Sequence, residues 1–130
     1  MFAPVEQFRS IEPLISTSDV IVLSSITFME SHIQLKSRLL GGIYKQKLYE
    51  EASSRLDGYR SFDPFVYKKV PGEVFERGVL QAKAPQSLYL RSMDRLHLAA
   101  MELLGCIHLI TNDIQQSDVA RAMGYQVTIP

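Results

Sequence analysis

The sequence predicts an α/β fold with a mainly parallel central sheet, and three observations carry this prediction. Short apolar runs that contain β-branched residues alternate with longer segments whose apolar residues recur every three or four positions. Alternation of strands and helices is typical of parallel sheets covered by helices. The chain has 130 residues, of which 46% are hydrophobic, enough for one core. We therefore expect a single domain over residues 1–130.

The first half of the chain predicts a strand between two helices. Residues 4–15 have the spacing of an amphipathic helix, and the apolar run Val20–Leu23 predicts a strand that is covered on both faces. The next helix is predicted over Thr27–Leu40. Its first residue is the expected N-cap, and Glu30 follows three residues later, which is a capping-box pattern.

A further helix is predicted over residues 43–56, after the break at Gly41-Gly42. The two helices should form a hairpin that projects from the sheet. The residues of the second helix that recur at fourfold spacing are Tyr44, Leu48, Ala52 and Leu56. These side chains are either part of the core or the lining of a groove for a partner helix.

The second half of the chain continues the alternation. The predicted elements are a strand over 65–70, a helix over 71–83 opened by Pro71, a helix over 92–104, a strand over 106–110, a helix over 114–123 and a strand over 125–129. Ser92 is the expected N-cap of the helix over 92–104, and Gly105 is its expected C-terminal stop.

Composition excludes several classes of protein. The 14 Lys and Arg residues balance the 14 Asp and Glu residues, so no strong overall field attracts the protein to nucleic acid or an acidic membrane. The single cysteine cannot form an internal disulfide, which favours the cytoplasm. The N-terminus has no signal-peptide pattern and no apolar stretch is long enough to span a bilayer, so no membrane association is expected.

Three acids are predicted to meet at one edge of the sheet. Glu30 follows a strand, Asp113 follows another strand, and Asp94 lies in the first turn of a helix that must run antiparallel to the strands. Sites in open α/β sheets form at this edge. Carboxylates that converge without basic partners are best accommodated around a hard cation such as Mg²⁺ or Mn²⁺, which can activate water for attack on a phosphodiester.

Each acid also has a purely structural interpretation. Helix N-termini favour negative charge, Asp113 has the position of an N-cap, and Glu30 could be only the second half of a capping box. Capping alone, however, does not require all three acids to lie on one edge.

The sequence resembles the PIN domain, the metal-dependent nuclease fold of VapC-type toxins. The matching stretches are SSITFME with Glu30, PGEVFERGVLQAKAPQSLYL, RSMDRLHLAAMELLG with Asp94, and HLITNDIQQSDVARAMGYQV with Asp113. The resemblance implies a three-layer fold and an Mg²⁺- or Mn²⁺-dependent ribonuclease that is held in check by an antitoxin, with a homodimer as a possible assembly. By the same resemblance, Glu30, Asp94 and Asp113 are the catalytic, metal-binding acids, with Thr111 and Asn112 supporting the last acid.

The chain departs from this family at its start. PIN domains usually begin with a central strand that ends in an aspartate, and this chain begins at the helix that should follow that strand. We therefore predict an N-terminally truncated PIN domain, a gap in the middle of the sheet or its completion by another chain, and low activity.

Three further side chains near Asp94 are candidates for the site. His97 lies on the same helix face three residues later, and packing or a hydrogen bond to the site is its expected role rather than metal or substrate binding. Arg91 and Arg95 flank Asp94 and could bind a substrate phosphate, with surface ion pairs as the alternative.

The sequence thus predicts a metal-dependent endoribonuclease of the PIN-domain, VapC-toxin type, with RNA as substrate. The alternative, favoured by the missing first acid, is a catalytically silent PIN-like module that binds an antitoxin or RNA without cleaving it.

Overall fold

Parallel strands alternate with helices along the chain, as the sequence predicts. The computed structural model describes residues 20–130. Within this range, the strands are β1 (Ile21–Ser24), β2 (Phe65–Lys68), β3 (His108–Ile110) and β4 (Gln126–Thr128). The helices are α1 (Ser25–Leu40), α2 (Gln46–Gly58), α3 (Val74–Lys83), α4 (Ser92–Leu104) and α5 (Ile114–Ala122). The α/β class is therefore confirmed, while the helix predicted over 4–15 lies outside the described residues.

The strands form two parallel pairs, β1 with β2 and β3 with β4. The chain likewise divides into two compact units, whose described parts are residues 20–68 and 69–130. Over residues 20–130 each sheet is thus small and two-stranded. The central strand that the family pattern places before the first helix would fall outside these residues, so its absence stays a prediction, as does the single domain.

None of the helices between residues 20 and 130 combines the length and the apolar composition that crossing a bilayer requires.

The strand β1 leads directly into helix α1. Leu23 and Phe65 are buried on the paired strands, while Ser24, the last residue of β1, has extended backbone angles and caps the helix. The Ser24 hydroxyl accepts a hydrogen bond from the Thr27 backbone N–H at 3.1 Å. The N-cap is therefore Ser24 and not Thr27 as predicted, because the strand ends in a serine that already satisfies a free N–H of the first turn.

Helices α1 and α2 form the predicted hairpin around an apolar cluster. Leu35, Tyr44, Ala52 and Leu56 are all buried in it. The predicted helix start at residue 43 is wrong, because α2 begins at Gln46 and Tyr44 precedes it. Leu48 does not join this cluster, and 45% of its surface is exposed.

The segment between α2 and β2 is held to the first unit by aromatic contacts. The Arg60 guanidinium lies 4.5 Å from the centre of the Phe28 ring and 5.7 Å from that of Tyr67. Phe28 and Tyr67 also meet edge to face, with ring centres 5.6 Å apart. A cation over an aromatic face is attracted by the ring quadrupole, so Arg60 ties the end of α2 to both α1 and β2.

In the second unit, helices α3 and α4 pack closely at Gly78. A Cβ atom at this position would lie 3.7 Å from the Arg95 side chain and 4.0 Å from the Ala99 Cβ, which is ordinary van der Waals contact between the two helices. Gln81 of α3 donates hydrogen bonds to the Leu98 carbonyl at 3.3 Å and to Glu102 at 2.8 Å. Both packing and polar contacts therefore fix the position of α4.

The bounds of α4 agree with the prediction, while its capping differs. Gly105 at the C-terminus has φ of 71°, the left-handed conformation that glycine adopts without strain. At the N-terminus, Ser92 is already helical, and the N-cap is Arg91, whose side chain makes no capping hydrogen bond. Similarly, Pro71 precedes α3 by a turn instead of opening it.

Truncation of Leu56 to alanine is expected to destabilise the protein by about 2–5 kcal/mol, because it removes buried methyl groups and leaves a cavity. Leu56 is 1% exposed. The matched control is Leu48→Ala on the same helix, for which we expect a change within about 0.5 kcal/mol. Urea unfolding of both variants measures the difference, and equal losses would contradict this assignment of the helix faces.

Candidate functional site

Two of the predicted acids lie together in the second unit, where β3 ends. Asp94 is in the first turn of α4, and Asp113 is the N-cap of α5, just after β3. A single guanidinium lies between them: Arg91 Nε is 3.4 Å from Asp94 Oδ2, and Arg91 Nη2 is 3.8 Å from Asp113 Oδ2. The two carboxylates therefore face one common position, although they are separated by nearly twenty residues in the sequence.

Asp113 is oriented by local hydrogen bonds. Its Oδ1 accepts from the Gln116 backbone N–H at 2.9 Å, which satisfies a free donor in the first turn of α5. Its own backbone N–H donates to Thr111 Oγ1 at 3.0 Å. The capping interpretation of Asp113 is thus confirmed for one oxygen, while the other oxygen faces Arg91.

A buried amide connects this N-cap to the start of α4. Gln116 is fully buried. Its Oε1 accepts a hydrogen bond from the Thr111 hydroxyl at 2.8 Å, and its Nε2 donates to the backbone carbonyl of Asp94 at 3.4 Å. One side chain therefore joins the residues that carry both acids. Thr111, at 2% exposure, is positioned to support Asp113 as the resemblance implies.

Gln116 is a residue that the sequence reasoning missed. The signal was present, because Asp113 and Gln116 have the three-residue separation of a capping box. In a capping box, the second side chain returns to the N-cap backbone, but here the Thr111 hydroxyl takes that N–H and Gln116 reaches Asp94 instead. The spacing alone does not reveal this exchange of partners.

Arg95 has an internal structural role, in contrast to the phosphate-binding role considered from the sequence. It is 7% exposed, and its Nη2 donates to the Leu88 carbonyl at 2.8 Å and to Ser87 Oγ at 3.2 Å. Its Nη1 lies 3.5 Å from Gln81 Oε1. Desolvation by burial lowers the pKa of this guanidinium. Of the two arginines beside Asp94, Arg91 is the exposed one, with 69% of its side chain accessible.

His97 and Asn112 remain candidates for supporting roles. His97 is 4% exposed and lies on the buried face of α4. Asn112 is half-buried between Thr111 and Asp113. Their contribution to a metal site stays a prediction.

Glu30 belongs to the first unit, and its helix position differs from the prediction. Because α1 starts at Ser25, Glu30 lies beyond its first turn. Its side chain accepts a hydrogen bond from Gln34 Nε2 at 3.4 Å. The meeting of Glu30 with the two aspartates of the second unit stays a prediction.

The two aspartates have the chemistry of a site for a hard divalent cation. Both are oxygen donors, and their side chains are 14% and 23% exposed, which is open enough for an ion to enter. The Arg91 guanidinium forms ion pairs with both carboxylates, so the position between them favours positive charge. Neither residues 20–68 nor residues 69–130, taken separately, contain a group of three or more His, Cys, Asp or Glu side chains that could hold a metal. These two residues would therefore form part of a metal site and need further oxygen ligands.

The chain belongs to the PIN domain family, whose model matches residues 2–122. PIN domains are generally nucleases that depend on divalent metal ions, and they act on RNA or DNA. This match confirms the family and the α/β fold class that the sequence motifs predict. No curated protein and no solved structure matches the chain significantly.

Replacing Thr111 by valine is expected to destabilise the protein by about 1–3 kcal/mol, because a buried acceptor on Gln116 and the Asp113 N–H lose their partner. The matched control is Thr128→Val. The Thr128 hydroxyl is 2.7 Å from His108 Nε2 in an exposed hydrogen bond, which water can replace. We expect the control to change stability by less than about 0.5 kcal/mol in urea unfolding. Equal effects would show that the Thr111 hydroxyl does not stabilise the site.

Proposed function

We propose that this protein is a metal-dependent endoribonuclease of the VapC toxin type, which hydrolyses RNA phosphodiesters with Mg²⁺ or Mn²⁺. The observation that supports the proposal most directly is the shared orientation of Asp94 and Asp113 toward one cationic position in a chain of the PIN family. The single cysteine supports the cytoplasm as its compartment.

Asp94 and Asp113 would hold the metal, and Glu30 is the third acid proposed for the set. The ion, when bound, supplies water activation and neutralisation of charge on the phosphodiester. Asp113 is prepared for this role because Thr111 and Gln116 fix its backbone and its Oδ1 atom. Arg91 is exposed at the same place and would contact a phosphate of the RNA backbone.

The proposed partners follow from the family type. An antitoxin would hold the nuclease in check, and a homodimer is the proposed assembly. The helix hairpin offers a surface for a partner, because Ile33 of α1 is 60% exposed and Leu48 of α2 is 45% exposed. Amphipathic helices bind surfaces of this kind through apolar anchors.

Asp94→Asn is expected to abolish cleavage of RNA. Replacing the carboxylate removes a metal ligand while keeping the side-chain size, and loss of even an outer partner of a metal ligand costs roughly 10–100-fold. The assay measures cleavage of two labelled RNAs, one single-stranded and one structured, in the presence of Mn²⁺. A reaction that contains a metal chelator serves as the blank.

The matched control is Asp118→Asn, which removes the same charge from an exposed position on α5. Cleavage should persist in this variant. Unchanged cleavage in Asp94→Asn would eliminate the assignment of Asp94 to the metal site.

The second candidate is a catalytically silent PIN module that binds an antitoxin or RNA. It is supported by the finding that neither described unit by itself contains a group of three or more His, Cys, Asp or Glu side chains that could hold a metal.

Calorimetric titration with Mn²⁺ separates the two candidates. The nuclease proposal expects saturable binding at about micromolar to low-millimolar concentration, the range of carboxylate sites, and loss of this binding in Asp94→Asn. Heat of dilution alone in the unmodified protein would favour the silent module.

A further inference from the structure

The contact that distinguishes this site is the arginine between its two acids. Arg91 Nε lies 3.4 Å from Asp94 and Arg91 Nη2 lies 3.8 Å from Asp113, so two nitrogens of one planar guanidinium form ion pairs with two carboxylates. Arg91 comes from the N-cap position of α4, three residues before Asp94 on the same chain segment. The guanidinium therefore comes from the N-terminus of α4, the same helix that carries Asp94.

Both acids are placed where charge repulsion between them must be offset. Each lies at a helix N-terminus and is half-buried, with exposed side-chain fractions of 14% and 23%. Helix dipoles favour each carboxylate separately, and the cap hydrogen bond favours that of Asp113, but neither reduces the repulsion between the two. A positive charge between them does so.

The ion pairs of Arg91 with the two aspartates are weak enough for another cation to replace the guanidinium. The Arg91 side chain is 69% exposed, and both contacts are longer than a well-formed charged hydrogen bond. Exposed ion pairs of this kind contribute little to stability. Arg95, by comparison, is buried and held by Ser87 and Leu88, so it cannot move in this way.

We propose that Arg91 is a resident counter-cation, which neutralises Asp94 and Asp113 when no metal is bound and which a divalent ion must displace. This inference rests on the proposed function, since it concerns the same acids. Because guanidinium and metal compete for the same Oδ2 atoms, binding of the ion releases Arg91, and the freed guanidinium then stands beside the site as a positive group for an RNA phosphate. Arg91 is thus a positioning residue that couples metal occupancy to substrate binding.

The first test is the affinity for Mn²⁺, measured by calorimetry on the full chain at low ionic strength. Removing the competing charge in Arg91→Gln should tighten Mn²⁺ binding by about two- to fivefold, the equilibrium effect of losing exposed ion pairs. Arg91→Lys retains the charge but replaces the planar guanidinium by a single ammonium group. Its affinity for Mn²⁺ should therefore lie between those of the unmodified protein and Arg91→Gln.

The matched control is Arg77→Gln. Arg77 is a half-buried arginine of the same unit, and its Nη1 lies 2.8 Å from Glu102 Oε1 instead of contacting the two aspartates. The affinity for Mn²⁺ should not change in this variant. Equal tightening in both variants would mean that only net charge matters, and it would overturn the inference.

A second readout follows the guanidinium directly. In a nitrogen-15 NMR titration with Mg²⁺, the Nε–H signal that disappears in Arg91→Gln should shift as the ion binds, and the same signal should stay in place in Asp94→Asn. A signal that does not move while Mg²⁺ binds would overturn the proposed displacement.

These outcomes separate the inference from the proposed function. If the unmodified protein binds Mn²⁺, Asp94→Asn does not, and Arg91→Gln has unchanged affinity, the role of Arg91 is wrong and the metal site stands. If neither the unmodified protein nor Arg91→Gln binds Mn²⁺, both proposals are wrong.

Discussion

The buried amide of Gln116 is the constraint on which the second unit depends. It has to satisfy its oxygen and its nitrogen without water, and it does so through the Thr111 hydroxyl and the Asp94 carbonyl. A buried polar group without partners is costly, so the strand end, the start of α4 and the start of α5 can adopt only arrangements that keep both bonds. These hydrogen bonds link the segments that carry Asp94 and Asp113.

Asp113 caps a helix with one carboxylate oxygen and leaves the other available to a cation. As an N-cap, it uses Oδ1 to satisfy the Gln116 N–H, and this hydrogen bond fixes the orientation of the whole carboxylate. Its Oδ2 lies 3.8 Å from Arg91 Nη2. The two interpretations that the sequence leaves open are therefore compatible, because a carboxylate has two oxygens and capping occupies one of them.

Much of the fold follows from patterns that are local in the sequence. The spacing of apolar residues predicts α4 over Ser92–Leu104 with its stop at Gly105, and both agree with the structure because helix period and left-handed glycine are local properties. The predicted cap of α1 is wrong because Ser24 and Thr27 are both good caps. The strand β1 decides between them by ending at Ser24.

The sequence by itself determined the family, the α/β class, the order of the elements and the pair Asp94 and Asp113, since motifs and the direction of parallel strands fix these features. Only the tertiary structure decided the different environments of the two arginines beside Asp94. Arg91 and Arg95 look equivalent in the sequence, but α3 packs over Arg95 through Gly78 and leaves Arg91 exposed between the acids. The physical reason is that burial depends on neighbouring helices that are distant in the chain, and burial determines whether a charged side chain supports the fold or meets a ligand.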